Sequence, residues 1–318
     1  MIKRKMNKKN LQIFFIVCDV ALIIIFSLLF HLSKPMNTTK VTYIPQGSIG
    51  QIISYLEQQK FYLSPSVDKY MLFFIGQPQS GWIDIGETKL SRGDFLYKLA
   101  NSKAAINDIT LIPGETIDVF LYQISQQYNL SYKKLMKYYI KYSPIRDGLI
   151  IPETYHIPMG IGERHLVLYL INYAWKNHEK TSMKIFGKFN KSSWYRYLTI
   201  ASIIQKEAAN NKEMPLVSSV IYNRLKKRMK LQMDGTLNYG KFSHIKVTPK
   251  RIKEDKSKYN TYKNRGLPPY PVSSISKEAI LAAIFPKKTN YLYFVKSKKG
   301  EHVFSKTYKE HLQNIKRK

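Results

Sequence analysis

Leu198-Thr199-Ile200-Ala201-Ser202-Ile203-Ile204-Gln205-Lys206-Glu207-Ala208-Ala209-Asn210 contains neither proline nor glycine. At about 100° per residue, Ile200, Ile203, Ile204 and Glu207 fall on one stripe, so the segment reads as a helix with an acid on its buried face. Gln205 and Lys206 are expected to point away from that stripe. Desolvation would raise the Glu207 pKa and keep the carboxyl protonated near neutral pH, as a general acid requires. A structural alternative is a buried Glu207 paired with Arg224 on the following helix, and the segment alone leaves both open.

Working outward, helical patterns are predicted over 131–142, 163–179, 194–209, 214–229 and 277–284, joined by aromatic and proline-rich loops. Tyr291–Val295 alternates as a strand and turns through Lys298-Lys299-Gly300 into His302-Val303-Phe304. Upstream, Val41-Thr42-Tyr43-Ile44-Pro45 matches Ile109-Thr110-Leu111-Ile112-Pro113 at an offset of 68 residues. Each copy reads as strand, turn, a Ser48 or Thr116 N-cap, and amphipathic helix. Trp82–Ile85 reads as a further strand, and Ser91-Arg92-Gly93-Asp94 as a capping box opening a helix to Asn101. The fold class expected is α+β: a small α+β subdomain over 41–108 and a larger, mainly helical domain with a strand element over 109–318.

Residues 1–10 carry Lys3, Arg4, Lys5, Lys8 and Lys9 without an acid, and Leu11–Leu32 is almost wholly apolar, interrupted by Gln12, Asp19 and Ser27 and, next to its end, His31. Twenty-two helical residues cover roughly 33 Å, enough for a bilayer core of about 30 Å. A single transmembrane helix over 11–32 is predicted, with a basic cytoplasmic tail over 1–10 and a linker over 33–40. The run is longer than a usual signal-peptide core and lacks an A-x-A-like cleavage site, which favours a retained anchor. Asp19 is costly in mid-span.

Fifty-two Lys and Arg against 21 Asp and Glu give a formal charge of +31. Such a balance suits a polyanionic partner or simply a Lys-rich surface. A domain beyond the membrane has no nucleic acid to meet, which leaves lipid or a carboxylate-bearing cell wall. The single cysteine, Cys18, excludes an intrachain disulfide. No H-E-x-x-H, G-x-S-x-G or glycine-rich phosphate loop is present, and the seven His are scattered, so neither metal nor cofactor is expected. Chemistry then falls to carboxylates. Besides Glu207, Leu231-Gln232-Met233-Asp234-Gly235-Thr236 places a second acid beside a turn. Tyr259-Asn260-Thr261-Tyr262 with Gly266-Leu267-Pro268-Pro269 forms a stiff loop whose rings and amides suit sugar faces and N-acetyl groups, or an ordinary turn over a core.

Five ordered segments resemble the endolytic murein transglycosylases of the YceG-like family: DGLIIPETYHIP at 147–158, TIASIIQKEA at 199–208, VIYNRLKKRMKLQMDGTLNYG at 220–240, YNTYKNRGLPPYPVSSIS at 259–276 and LAAIFPKKTNYLYFVKSKKGEHVFSKTYKEH at 281–311. The resemblance implies a membrane anchor, a LysM-like subdomain at 41–108 and a catalytic domain. It also implies cleavage of nascent peptidoglycan strands between N-acetylmuramic acid and N-acetylglucosamine, leaving 1,6-anhydro-muramyl ends and terminating glycan elongation.

The family's catalytic Glu maps onto Glu207, and Tyr222, Asn223, Gln232, Asp234, Tyr259, Asn260 and Tyr262 are implied groove residues. Implied partners are the glycan strand, the membrane and peptidoglycan synthases, with no nucleic acid. The implied location is the bacterial cytoplasmic (inner) membrane, single-pass, with the catalytic domain outside the cytoplasm. Where family members often carry Glu-Lys-Glu, this chain has Gln205-Lys206-Glu207, and Ser273-Ser274-Ile275-Ser276 replaces the usual proline-containing turn. Alternatives are a peptidoglycan-binding scaffold without strong activity, and a hydrolase using Glu207 with Asp234 to activate water.

Overall fold

The computed structural model describes residues 8–317, so most of the basic tail expected over 1–10 lies outside the described residues. The chain divides into two compact units, one made of the described residues up to Asn107 with Pro158–Gly160, the other of Asp108–Ile157 with residues from Ile161 onward.

The first unit opens with α1 (Lys8–Ser33), 26 residues long and apolar enough to cross a membrane. It continues through β1 (Pro35–Asn37), β2 (Val41–Ile44), α2 (Ile49–Gln58), α3 (Val67–Ile75), β3 (Gly81–Asp84), β4 (Lys89–Ser91) and α4 (Arg92–Asn101). Antiparallel pairing joins β2 to β3, with Tyr43 opposite Trp82, and β1 to β4, with Met36 opposite Leu90. Ser48 and Gln51 form a full capping box at the start of α2, and Ser91 accepts from the Asp94 N–H at the start of α4. Ile44, Ile52, Leu56, Leu72, Phe95 and Leu99 close the core of this unit.

The strand expected at 109–113 lies three residues earlier, as β5 (Ile106–Thr110), because the Leu111 N–H bonds Glu153 and Pro113-Gly114 begins a turn. Beyond it come α5 (Ile117–Gln127), α6 (Tyr132–Tyr142), β6 (Thr154–Pro158), which pairs with β5, and α7 (Glu163–Phe186). Thr116 does not cap α5 with its hydroxyl. The buried Asp147 carboxylate instead takes the Ile117 N–H at 2.8 Å.

The core of the second unit is built around α8 (Lys191–Glu207), which packs against α9 (Met214–Lys226) and α11 (Lys277–Ile284). Between the last two lie short 3-10 turns at Asp234–Leu237 and Gly240–Phe242 and the brief α10 (Pro249–Glu254). The antiparallel hairpin β7 (Tyr293–Lys296) and β8 (His302–Ser305) carries α12 (Tyr308–Lys316). Every side chain from Leu198 to Ile204 is buried, so this part of α8 is enclosed on all sides and not on one stripe. Gln205 and Lys206 are consequently not solvent-facing as expected. Packing of the 271–276 loop and the 234–243 region onto α8 leaves both half-buried.

Candidate functional site

Glu207 is the last residue of α8, because Ala208 turns extended at φ −71° and ψ 135°. The helix stops two residues before the expected 209, and that places the carboxyl at the negative end of the helix dipole, where ionisation is disfavoured. Glu207 lines a cleft of about 380 Å³ with Arg224, Gln232, Asp234, Tyr262 and Tyr293, closed on another side by Tyr308 and His311. Burial pushes its pKa up to about 7, with the neighbouring Asp234 carboxylate adding to the rise; a hydrogen bond from the Gly235 N–H and the Arg224 charge act against it. The Gly235 N–H donates to Oε1 at 2.7 Å. Among the described residues no group bonds Oε2, and no ion pair joins Glu207 to Arg224.

Arg224 is spent elsewhere. Its Nε donates to the Leu292 carbonyl at 2.6 Å, Nη1 donates to the Leu231 carbonyl at 2.6 Å, and the guanidinium lies 5.1 Å from the Tyr293 ring centroid. One side chain thus ties α9, the 230–231 turn and the start of the hairpin into a single wall. Burial pulls its pKa down from the usual arginine value.

The opposite lip is held by Thr261. Its backbone carbonyl accepts from the Gln232 N–H at 3.2 Å, its Oγ1 accepts from the Met233 N–H at 3.1 Å, and Oγ1 lies 3.0 Å from the Thr236 hydroxyl. These bonds hold Gln232 at a left-handed φ of 50° and bring Asp234 beside Tyr262, whose hydroxyl donates to Asp234 Oδ1 at 2.6 Å. Burial and this carboxylate both push the Tyr262 pKa up.

Four of the residues singled out in the sequence, Glu207, Gln232, Asp234 and Tyr262, therefore meet in one cleft. Tyr222 and Asn223 lie at a separate depression of about 430 Å³ with Lys226 and Lys287. There the Tyr222 hydroxyl donates to the Ala283 carbonyl at 2.7 Å, and Asn223 donates to the Thr289 and Tyr291 carbonyls at 2.8 and 2.9 Å. Tyr259 stacks on Tyr239 with centroids 4.3 Å apart. Asn260 is fully buried, its amide donating to the Ile252 and Asp255 carbonyls.

The cleft residues that sequence reasoning passed over are Tyr293, Tyr308 and His311. All three belong to the 281–311 segment, whose pattern of aromatics after the hairpin was the available signal. His311 stacks on Tyr293 with centroids 5.2 Å apart, its Nδ1 is buried without a partner, and burial and the Arg224 charge lower its pKa.

The two departures from the family pattern touch each other. Gln205 Oε1 accepts from the Ser276 N–H at 3.0 Å, and Ser276 Oγ in turn caps α11 through the Ala279 N–H. Behind the cleft, Lys206 donates to Ser243 Oγ at 3.2 Å; burial pulls its pKa down from the usual lysine value, and the Glu115 and Asp147 carboxylates act against that fall. Asp147 itself is buried, with its pKa raised to about 7 by desolvation.

Comparison with known proteins gives one consistent answer. A protein from Bacillus subtilis (strain 168) named endolytic murein transglycosylase is 31% identical over 320 residues, covering 90% of this chain and 86% of that protein. A second of that name, from Streptococcus pneumoniae serotype 2, is 31% identical over 175 residues, covering 53% of this chain and 31% of its own length. The crystal structure of a YceG-like protein from Listeria monocytogenes superposes with a TM-score of 0.58 at 27% identity, covering 87% of this chain and 99% of that one. Residues 42–317 match the YceG-like family, and the chain belongs to it.

Proposed function

We propose that this chain is an endolytic peptidoglycan transglycosylase in which Glu207 is both acid and base. The observation that carries the reading is the Glu207 carboxyl in the cleft, its pKa raised to about 7, bonded by the Gly235 N–H at Oε1 and, among the described residues, unbonded at Oε2. The name of the Bacillus subtilis relative, which aligns over most of both chains, supports it.

In this reading the Glu207 carboxyl gives its proton to the glycosidic oxygen between N-acetylmuramic acid and N-acetylglucosamine. The muramyl C1–O bond breaks, and the N-acetylglucosamine leaves with a free 4-hydroxyl. The resulting carboxylate takes the proton of the muramyl C6 hydroxyl as that oxygen attacks C1. A 1,6-anhydro ring closes, no water is consumed, and Glu207 returns to its protonated state. The Gly235 N–H steadies the transient carboxylate. Gln232, Asp234 and Tyr262 line the same cleft as candidates to hold the sugars; Tyr259 and Asn260 brace the loop that carries Tyr262, and Tyr222 and Asn223, at the separate depression, would meet the strand only outside this cleft.

The division into anchor at 11–32, linker at 33–40, LysM-like subdomain at 41–108 and catalytic domain at 109–318 belongs to this proposal. The strand-helix-helix-strand order of β2, α2, α3 and β3 supports the LysM-like reading. The apolar α1 supports single-pass anchoring in the cytoplasmic membrane, with the catalytic domain outside the cytoplasm where nascent strands and their synthases meet.

Asp234 on the same cleft favours one second reading, a hydrolase in which two carboxylates activate water. Mass spectrometry of fragments released from uncrosslinked glycan strands separates the two. Anhydro-muramyl ends made by the wild type and not by Glu207→Gln are expected; reducing ends would establish the hydrolase, and equal release by both proteins would remove Glu207 from the chemistry.

A further inference from the structure

Beyond the apolar α1, the first unit exposes three aromatic rings close together on α3. Tyr70, Phe73 and Phe74 are 63%, 71% and 80% exposed, while Asp68 and Leu72 on the other side of the helix are buried. The three rings flank a groove of about 660 Å³ together with Ile49 and Lys69. A contiguous patch of this kind marks an interaction surface.

The tether of α3 indicates what covers it. Asp68 is wholly buried and accepts from Arg92 at 2.7 Å, with His31 Nε2 at 2.9 Å. His31 lies in the last turn of α1. The attachment is reinforced where the Arg92 N–H donates to the Lys34 carbonyl at 2.9 Å and where a Cβ on Gly93 would stand 3.4 Å from Leu32 Cβ. A hydrocarbon core of about 30 Å entered near Leu11 is left about twenty residues later, at His31, so the first turn of α3 sits at headgroup depth. Phe73 and Phe74 follow Asp68 by five and six residues, no more than roughly 9 Å along the helix axis, which keeps them within reach of the interfacial layer. Lys69 is exposed, and the one acid of α3, Asp68, is already paired, so the face combines aromatic rings with a cation and carries no free carboxylate. That chemistry fits an anionic lipid surface.

We infer that Tyr70, Phe73 and Phe74, with Lys69, form a second membrane contact that beds α3 in the interface of the bilayer crossed by α1. A lone spanning helix leaves the unit it carries free to tilt. A second contact removes that freedom. The inference rests on reading α1 as membrane-spanning.

The test uses the full chain in vesicles of phosphatidylglycerol and phosphatidylethanolamine, with acyl chains brominated or not. A fluorescent label on the native Cys18 reports the anchor, and labels on Phe73→Cys and Phe74→Cys, in a Cys18→Ala background, report α3. Loss of most of the emission at all three positions in brominated vesicles is expected. Quenching at Cys18 with none at 73 or 74 overturns the inference and leaves the anchor standing. No quenching at Cys18 removes the anchor and the inference together. Labels at 73 and 74 that escape lipid quenching but are shielded from aqueous iodide by added glycan strands would make the groove a carbohydrate site, and shielding that grows with protein density would make it a contact between copies. Either result overturns the lipid assignment. Both substituted rings are exposed, so the core is unaffected by the changes.

Discussion

The Gly235 N–H reaches Glu207 Oε1 at 2.7 Å only because residue 235 has no side chain: a Cβ there would stand 2.5 Å from Lys206 Cβ and 3.0 Å from Glu207 Oε1 itself. The glycine is required by close approach, in a turn where its backbone conformation is available to any residue. Gly235→Ala must push the 234–237 turn away from the end of α8. The lost bond to a charged group is worth about 1.5–3 kcal/mol, so the rate of glycan cleavage should fall by roughly ten- to a hundredfold, with overpacking costing about 1–3 kcal/mol of stability. Steady-state cleavage rates beside thermal melting would check both, and an alanine variant with wild-type activity would detach Gly235 from the acid.

A second prediction concerns pH. Because Glu207 is raised from 4.5 to about 7 in the folded protein, the folded state keeps a proton between those values that the unfolded chain has released. Its effect is therefore a loss of stability as pH climbs from about 4.5 to about 7, constant above that range. Glu207→Gln removes the loss, so the variant should melt above the wild type at pH 8 and converge with it at pH 4. Asp147, also raised to about 7, contributes a slope of the same sign that persists in the variant. For activity, the general acid must be protonated, and cleavage should decline above about pH 7. A wild-type rate that kept rising to pH 9 would contradict the acid role.

How much of this was readable beforehand depends on whether the determining contacts are local. The spacing of Ile200, Ile203, Ile204 and Glu207 is local and placed an acid against apolar packing. The end of α8 was not readable, because Ala208 and Ala209 are good helix formers and what diverts the chain is its surroundings. Arg224 and Glu207 are opposite charges on successive helices, yet the guanidinium goes to carbonyls at 231 and 292, the second of them 68 residues away along the chain and brought near only by the fold. Asn260 and Tyr262 looked alike as polar members of one loop. In the fold one amide is consumed inside its own loop and the other side chain reaches Asp234, a distinction that belongs to burial and not to residue type.

Thr261 offers a test of how the lip is held. In Thr261→Val the methyl that replaces the hydroxyl leaves the Met233 N–H facing an apolar group where Oγ1 had lain at 3.1 Å, and it takes from the Thr236 hydroxyl one of its two partners, the bond it donates to the Met233 carbonyl at 2.7 Å remaining. Each buried polar group left unpaired costs about 1–3 kcal/mol. Melting temperature should drop sharply and cleavage with it, while Thr261→Ser, which keeps the oxygen, should recover most of both. A valine variant as stable as the wild type would mean that Gln232 and Asp234 are held by other contacts.

The wall formed by Tyr293, Tyr308 and His311 leads to the last prediction. These side chains line the cleft without bonding Glu207; Nδ1 of His311 is enclosed, and the part of the half-buried imidazole that faces the cleft can meet a sugar hydroxyl or N-acetyl group entering it. Burial and the Arg224 charge depress the His311 pKa, so near neutral pH the ring is uncharged and can bond a neutral sugar without first losing a proton. His311→Ala removes binding that is similar in ground and transition states, which raises KM and leaves kcat nearly unchanged. One neutral hydrogen bond and a stacked ring together correspond to about 1–2 kcal/mol, or roughly five- to thirtyfold in KM. His311→Gln, able to donate and accept, should recover part of the loss. A fall in kcat at constant KM would instead make His311 a participant in the proton transfers assigned to Glu207, and the single-carboxyl mechanism would have to be rewritten with the imidazole in it.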